Sequence, residues 1–375
     1  MNAVCMFMLM MVSIGGIRLN PIEELIPSFE GLGQKSAWHL LVLTHTRPAM
    51  LQRCLKTLLS LSGIENFDLS VSIDSKEKLG EVEEILTHLE NENPWLKNRL
   101  RVILKAPSHF RDSAQALSDH VMFGLDELYS GSAQYGVFVE EDLVPSKDFI
   151  EYLQIAAGII DKDKSLFCAS AWNDNAFEPF AGDNLKFLRT NGFPGYGWLT
   201  TRRTANLVRG KMPYGAVNWD GWLADEVKEM QMECIVPEVP RIRHLGGGGT
   251  HITDNSAYEL MSFSEIQPDS SHLSSAMSRL TRKEFDLDLM NRIKNAKKVD
   301  IDEVADPSKF SFYDDTEYLV VMDFISECRK MFKYYKLFDS SCYKMSHDGV
   351  LQIDIPKSRS GILFVDSRIG GKWLS

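Results

Sequence analysis

The chain has 375 residues, 44% of them hydrophobic and 25% charged, without low-complexity tracts or an internal repeat. That excludes a disordered or fibrous protein and leaves room for one large domain or two ordinary ones. A formal charge of −11 at pH 7 argues against general nucleic-acid binding, yet it permits an anionic small molecule held through a metal or a local basic cluster. Six cysteines, at positions 5, 54, 168, 234, 328 and 342, form no CxxC pair, so no structural zinc site is expected. Their number fits disulfides of an oxidising compartment as well as it fits reduced core thiols.

Residues 1–30 open with "MNAVCMFMLMMVSIGGI", apolar and uncharged from Asn2 to Ile17. The run is shorter than the ~20 residues of a bilayer span and lacks a basic flank. It reads as a secretory-pathway signal or anchor, followed by a short stem; a strand is the competing reading. Next, "AWHLLVLTHTRPAMLQRCLKTLLSL" predicts a buried strand over Leu40–Thr44, a turn at Arg47–Pro48, and a helix with Met50, Leu51, Leu55, Leu58 and Leu59 at helical spacing. "FDLSVSIDS" predicts a second strand that stops on Asp74, and "KEKLGEVEEILTHLENE" a charged helix. "NRLRVILKAP" is a third strand, and "SDHVMFGLDELYS" a helix.

The fourth strand, Gly136–Val139, is a continuous apolar run that suits an interior position, and it ends in Glu140, Glu141 and Asp142. Three like charges at the end of a buried strand are costly unless something positive joins them. A solvated acidic loop is the bland reading. Against it stands the helix "PSKDFIEYLQIAAGII" that follows, with Ser146 as its expected N-cap. Strands alternating with helices imply a mostly parallel sheet, so Arg47, Asp74 and the triplet all fall at carboxyl strand ends, where open α/β sheets bind ligands.

Residues 165–203, rich in Trp, Asn, Gly and Pro, read as a wall of loops. "VNWDGWLADEVKEM" follows, then "CIVPEVPRIRHLGGGGTHITDN" with its tetraglycine Gly246–Gly249. After about Ser275 the texture changes to charged helices and short strands. The expected organisation is a catalytic domain over 31–262, a linker over 263–275 and a smaller domain over 276–375.

Five blocks in order, "FVEEDLVPSKDFIEYL", "SLFCASAWNDN", "GFPGYGWL", "WDGW" and "CIVPEV", resemble the GT-A-fold N-acetylglucosaminyltransferases typified by N-acetylglucosaminyltransferase I, together with the protein O-linked-mannose enzyme. The resemblance runs from about Ala37 to about Ser262 and continues more weakly through "FDLDLMNRI" and "SGILFVDSR". It implies an α/β GT-A nucleotide-diphospho-sugar transferase fold with a Rossmann-like, mostly parallel sheet and a smaller α+β C-terminal domain. It also implies an inverting, metal-dependent transfer of GlcNAc from UDP-GlcNAc to O2 of a mannose on an N-glycan, in β-1,2 linkage, in the Golgi lumen. The alternatives are the O-linked-mannose branch and an inactive glycan-binding member.

By the same resemblance Asp142 binds Mn²⁺ or Mg²⁺, hard cations that take oxygen ligands and neutralise a pyrophosphate leaving group. Glu140 and Glu141 face the uridine and ribose, with Glu141 standing where the family has Asp. Arg47 and Asp74 hold the uracil and nearby groups, His120 contacts the nucleotide, and Thr250 serves the loop that closes over the donor. Asp220 is the expected general base, since inversion in one displacement requires a carboxylate to take the acceptor's proton. Trp219 and Trp222 suggest apolar surroundings that favour proton abstraction. From spacing alone, Asp220 serves equally as a helix N-cap. Cys168 and Cys234 match a family disulfide. A second family bridge falls where this chain has His45 or Thr44 and Ser75. Cys328 and Cys342 are candidates to pair with each other, and Cys54 reads as a buried helix thiol.

Overall fold

The computed structural model describes residues 36–106, 108–245, 261–265, 270–337 and 342–374. The apolar N-terminal segment, the tetraglycine and Thr250 lie outside the described residues. The first elements alternate: β1 (Trp38–Thr44), α1 (Pro48–Leu59), β2 (Phe67–Ile73), α2 (Leu79–Glu92), β3 (Leu100–Leu104), α3 (Ser113–Leu128) and β4 (Tyr135–Glu140). They are followed by β5 (Leu143–Pro145), α4 (Phe149–Lys162), β6 (Leu166–Ser170), β7 (Phe187–Thr190), β8 (Trp198–Thr201), α5 (Arg202–Ala205), α6 (Trp219–Glu229), β9 (Glu233–Pro237) and β10 (Ile242–His244).

Eight strands form one sheet in the order β3-β2-β1-β4-β8-β6-β9-β7. The half from β3 to β4 is parallel, as the alternation of strands and helices predicts; β8 then enters antiparallel to both β4 and β6. Every residue of β1 is buried because helices cover both faces. Leu40 and Val42 join a core with Leu51 and Leu55 of α1 and Leu153 of α4, whereas Leu41 and Leu43 join one with Val121 and Leu125 of α3 and Leu223 of α6. This period-two split of a continuous apolar run is what a doubly covered strand produces. At the start of β4, a Cβ on Gly136 would stand 2.7 Å from the Tyr129 hydroxyl, which donates to the Thr200 carbonyl at 2.7 Å. Glycine there lets Tyr129 tie the end of α3 to β8.

Three expectations are corrected. Residues 165–203 supply β6, β7 and β8, so the supposed wall of loops provides three of the four strands of the sheet's mixed half, β8-β6-β9-β7. Pro48 opens α1 instead of making a turn, its fixed φ and missing N–H suiting the first helical position. Ser146 is not the N-cap of α4: β5 pairs with β10 and keeps the chain extended through Pro145, so the cap falls on Asp148. The Ser146 hydroxyl donates to Asp148 Oδ1 at 2.6 Å, and Arg241 Nε donates to Asp148 Oδ2 at 3.1 Å.

A second sheet, in the order β11 (Lys297–Lys298), β12 (Glu317–Met322), β14 (Ser360–Asp366), β13 (Val350–Ile355), carries its own core around Tyr318, Val320, Phe324 and Phe364. Leu319, Leu363 and Val365 on its other face join the first core through the helix Arg282–Asn295. Disulfides connect Cys168 to Cys234, on paired strands β6 and β9, and Cys328 to Cys342 beside the second sheet. Cys54 is free and buried. Among the described residues no helix is long and apolar enough to cross a membrane.

Candidate active site at the carboxyl edge of the sheet

The parallel register sets Thr44 beside Ile73 and Leu43 beside Glu140, so β1, β2 and β4 deliver their next residues to one edge. There His45 Nδ1 lies 2.6 Å from Asp74 Oδ1, and His120 Nδ1 lies 3.4 Å from Asp74 Oδ2. Burial works to raise the Asp74 pKa, but the two histidines outweigh it and hold it down at about 2. His120 is 2% exposed, and its Nε2 meets Ser72 Oγ at 2.9 Å. Both ring nitrogens of His120 are engaged, and it orients Asp74 from behind. The His45–Asp74 link joins β1 to β2 where the resemblance put a second disulfide.

Arg47, between β1 and α1, donates through Nε to Glu141 Oε1 and through Nη2 to Asp142 Oδ2, both at 2.8 Å. It is the positive partner within the chain for a triplet of acids. One guanidinium does not balance three carboxylates. Burial, then the charges of Asp142 and Glu141, push the Glu140 pKa up to about 8 against the pull of Arg47. Glu141 is raised as well, chiefly by burial. Asp142 is 6% exposed, and among the described residues its Oδ1 has no hydrogen-bond partner. An unpartnered buried carboxylate oxygen among surplus negative charge, with only oxygen donors beside it in the triplet, fits a hard divalent cation. His244, which sequence reasoning missed, puts Nε2 3.6 Å from Asp142 Oδ2; burial lowers its pKa and favours the neutral ring.

Asp220 lies in the first turn of α6. The N-cap is Asn218, whose side chain accepts from Gly221 N at 3.3 Å, so the capping alternative for Asp220 is ruled out. A Cβ on Gly221 would stand 2.2 Å from Asn218 Nδ2, so glycine at 221 and this cap go together. The expected apolar pocket is absent too. Trp219 turns into the core against Phe138 and Phe193, while Asp220 faces solvent. Its charge still reaches Glu140 and Asp174.

With this geometry in place, the comparisons are informative. The family model described as GNT-I family matches residues 11–363. The chain belongs to the GNT-I family. It is 26% identical over 249 residues to the alpha-1,3-mannosyl-glycoprotein 2-beta-N-acetylglucosaminyltransferase of Arabidopsis thaliana, which covers 62% of this chain and 54% of that protein. The chain thus spans about half the length of the relative it matches. Two solved structures are more distant. A mannosyltransferase from Pyrobaculum calidifontis with GDP-Man and Mn²⁺ is 14% identical, covers 58% of this chain and 62% of its own, and has a TM-score of 0.37. S. aureus TarS is 13% identical over 55% and 58%, also at 0.37. Neither bears on the reading.

This GNT-I family member holds a second carboxylate cluster, at the junction of the two sheets. Glu233, His347 and Asp348 stand close enough to suggest a metal. Their ligand atoms are already occupied. Glu233 accepts from Arg189, from Arg282 and from His347 Nδ1, and His347 Nε2 lies 2.7 Å from Asp286 Oδ1. Asp348 binds Lys372 at 2.6 Å. With guanidinium groups in place of a cation, the cluster is an ion-pair network.

Proposed function

We propose that this GNT-I family member is an inverting, metal-dependent transferase of the Golgi lumen that moves GlcNAc from UDP-GlcNAc to O2 of a mannose on an N-glycan, in β-1,2 linkage. The observation that carries the reading is the undercompensated acid cluster at the carboxyl ends of β1, β2 and β4, with the unpartnered Asp142 Oδ1 at its centre. The Arabidopsis relative's name supports the acceptor class.

In this reading Asp74, locked by His45 and His120, accepts from the uracil ring N–H, and Arg47 stacks on or pairs with the base beside it. Glu140 and Glu141 face the ribose side, Glu141 already fixed by Arg47. Mn²⁺ or Mg²⁺ held by Asp142 would supply Lewis-acid neutralisation of the departing pyrophosphate. Asp220 takes the proton from the mannose 2-hydroxyl as its oxygen bonds to C1 of GlcNAc. The bond from C1 to the UDP oxygen breaks with the electron pair leaving on UDP, and the configuration at C1 inverts. Exposure of Asp220 suits it to meet an acceptor arriving from solvent. Thr250 and the glycine run are assigned to the loop that covers the donor.

Isothermal titration with UDP-GlcNAc, with and without Mn²⁺, tests the reading, followed by transfer assays on mannose-terminated N-glycan and O-mannosyl acceptors. Metal-dependent binding with β-1,2 product on the N-glycan is the expected result. Preference for the O-mannosyl acceptor would move the activity to the other branch, and absence of donor binding would leave a glycan-binding protein without turnover.

A further inference from the structure

Between α6 and the second sheet runs a row of side chains that the reaction scheme above leaves unused. His244, beside Asp142, packs against Tyr196 with ring centroids 5.2 Å apart, and Tyr196 meets Trp172 edge-on at 5.1 Å. Trp172 Nε1 donates to Asp174 Oδ1 at 3.0 Å. Asp174, 6% exposed, then meets Lys344 Nζ at 3.1 Å through Oδ2. The row starts at the candidate metal carboxylate and ends on a lysine of the other sheet unit. It also flanks α6: Phe193, on the same loop as Tyr196, contacts Trp219 at 6.0 Å, next to Asp220.

Lys344 is delivered by a tightly built loop. Cys342, two residues earlier, is tied to Cys328, and Cys342, Met345 and Asp348 all have left-handed backbone. Beyond Lys344 the same loop docks on the large sheet: Asn191 N donates to the Ser346 carbonyl at 2.9 Å, and Asp348 N donates to Asn191 Oδ1 at 2.6 Å. Such fixing keeps a flexible lysine stem in one place, which lowers the entropic cost of using its ammonium for recognition. The Lys344 side chain remains about one-third exposed (34%) at the end of this row. An ammonium held in place by a buried carboxylate is a hydrogen-bond donor suited to sugar hydroxyls.

Resting on the function proposed above, we infer that Lys344 contacts the mannose-bearing acceptor and that Asp174 is the positioning residue that holds it. The second sheet then takes part in acceptor recognition, through one loop.

The test compares Lys344→Met, Lys344→Arg and Asp174→Asn with the unaltered chain, using UDP-GlcNAc, Mn²⁺ and a free mannose-terminated oligosaccharide. Lys344→Met is expected to raise the acceptor KM by about tenfold or more while kcat stays within about threefold, the pattern of lost binding common to ground and transition states. Asp174→Asn shifts KM in the same direction, Lys344→Arg recovers most of the loss, and donor affinity stays within about twofold in all three. An acceptor KM unchanged in Lys344→Met overturns the inference. If Asp174→Asn fails to fold, the partly exposed Lys344 variants decide alone. If the unaltered chain binds donor and transfers while the variants match it, only this inference fails; if it neither binds nor transfers, the proposed function fails and the inference with it.

Discussion

Two groups of buried and half-buried acids in this protein are treated in opposite ways. At the junction of the sheets, Asp163, Glu233, Asp286 and Asp348 are met by Arg189, Arg282, Lys372 and His347. Burial would raise each of those carboxyl pKa values, yet the partners prevail and all four are lowered, Asp163 to about 2. At the sheet edge, Glu140 and Glu141 are raised, and one oxygen of Asp142 has no partner among the described residues. A cluster of acids by itself therefore says little. What separates a structural network from a ligand site is whether the chain supplies the balancing charge or leaves it to a visitor.

The contrast is testable by removing one acid at a time. The largest effect belongs to the group facing the undercompensated edge. Asp220→Asn should cost about 10²–10⁴-fold in kcat with UDP-GlcNAc affinity nearly intact, and retained turnover in a rate assay would remove Asp220 as the base. Glu233→Ala leaves the fully buried Arg189 with Asp163 alone and takes from Arg282 and His347 the carboxylate they share with it, and should destabilise the fold by about 3–5 kcal/mol in urea titrations without altering the metal dependence of donor binding. A loss below about 1 kcal/mol would mean the junction is not held by its ion pairs.

Asp142→Ala should do the reverse. Stability should change by under about 1 kcal/mol, because a like charge is removed while Arg47 keeps Glu141. Donor affinity in Mn²⁺ should fall at least about tenfold, roughly 1.4 kcal/mol, and lose its response to EDTA. Melting curves paired with titrations check both halves. The smallest effect is on pH. The Asp163 contribution is present above its unfolded value of 3.8 and is lost as pH falls through about 2. The His347 pKa is raised: burial works against this, but Asp286 and Glu233 prevail. Its contribution is thus full below 6.5 and lost as pH rises through the higher folded value. Tm is expected to fall at the acid end and, because Glu140 is raised to about 8, to fall also as pH climbs above its unfolded value of 4.5; His347→Gln removes only the part of the alkaline decline that His347 contributes.

The parallel half of the sheet was legible because each strand is a local apolar run followed by an amphipathic helix, and the edge that gathers Arg47, Asp74 and the triplet follows from that alternation. The mixed half was not, because β8 enters between β4 and β6 out of chain order. Nor was the separate two-stranded sheet of β5 and β10, which have three residues each and find one another across about a hundred positions of chain, a pairing with no local signal. Burial direction was equally hidden. Two tryptophans flank Asp220 in sequence, but the helix turns Trp219 inward and Asp220 outward. His120 was found as a residue, but its use of both ring nitrogens was hidden, since it depends on Ser72 and Asp74 from β2 and its end. Lys344 could not be seen from its own neighbourhood, because its partner belongs to the other sheet.

The placement of the sulfur bridges has a practical side for anyone producing this protein. Both lie away from the carboxyl edge of the large sheet, which is held by the reversible His45–Asp74 contact, and each is worth roughly 2–4 kcal/mol. A preparation from a reducing host would keep the groups of that edge while loosening β6, β9 and the loop that carries Lys344. On the function proposed above, nucleotide affinity would then be a poor certificate of quality for a batch, and acceptor turnover per mole the better one.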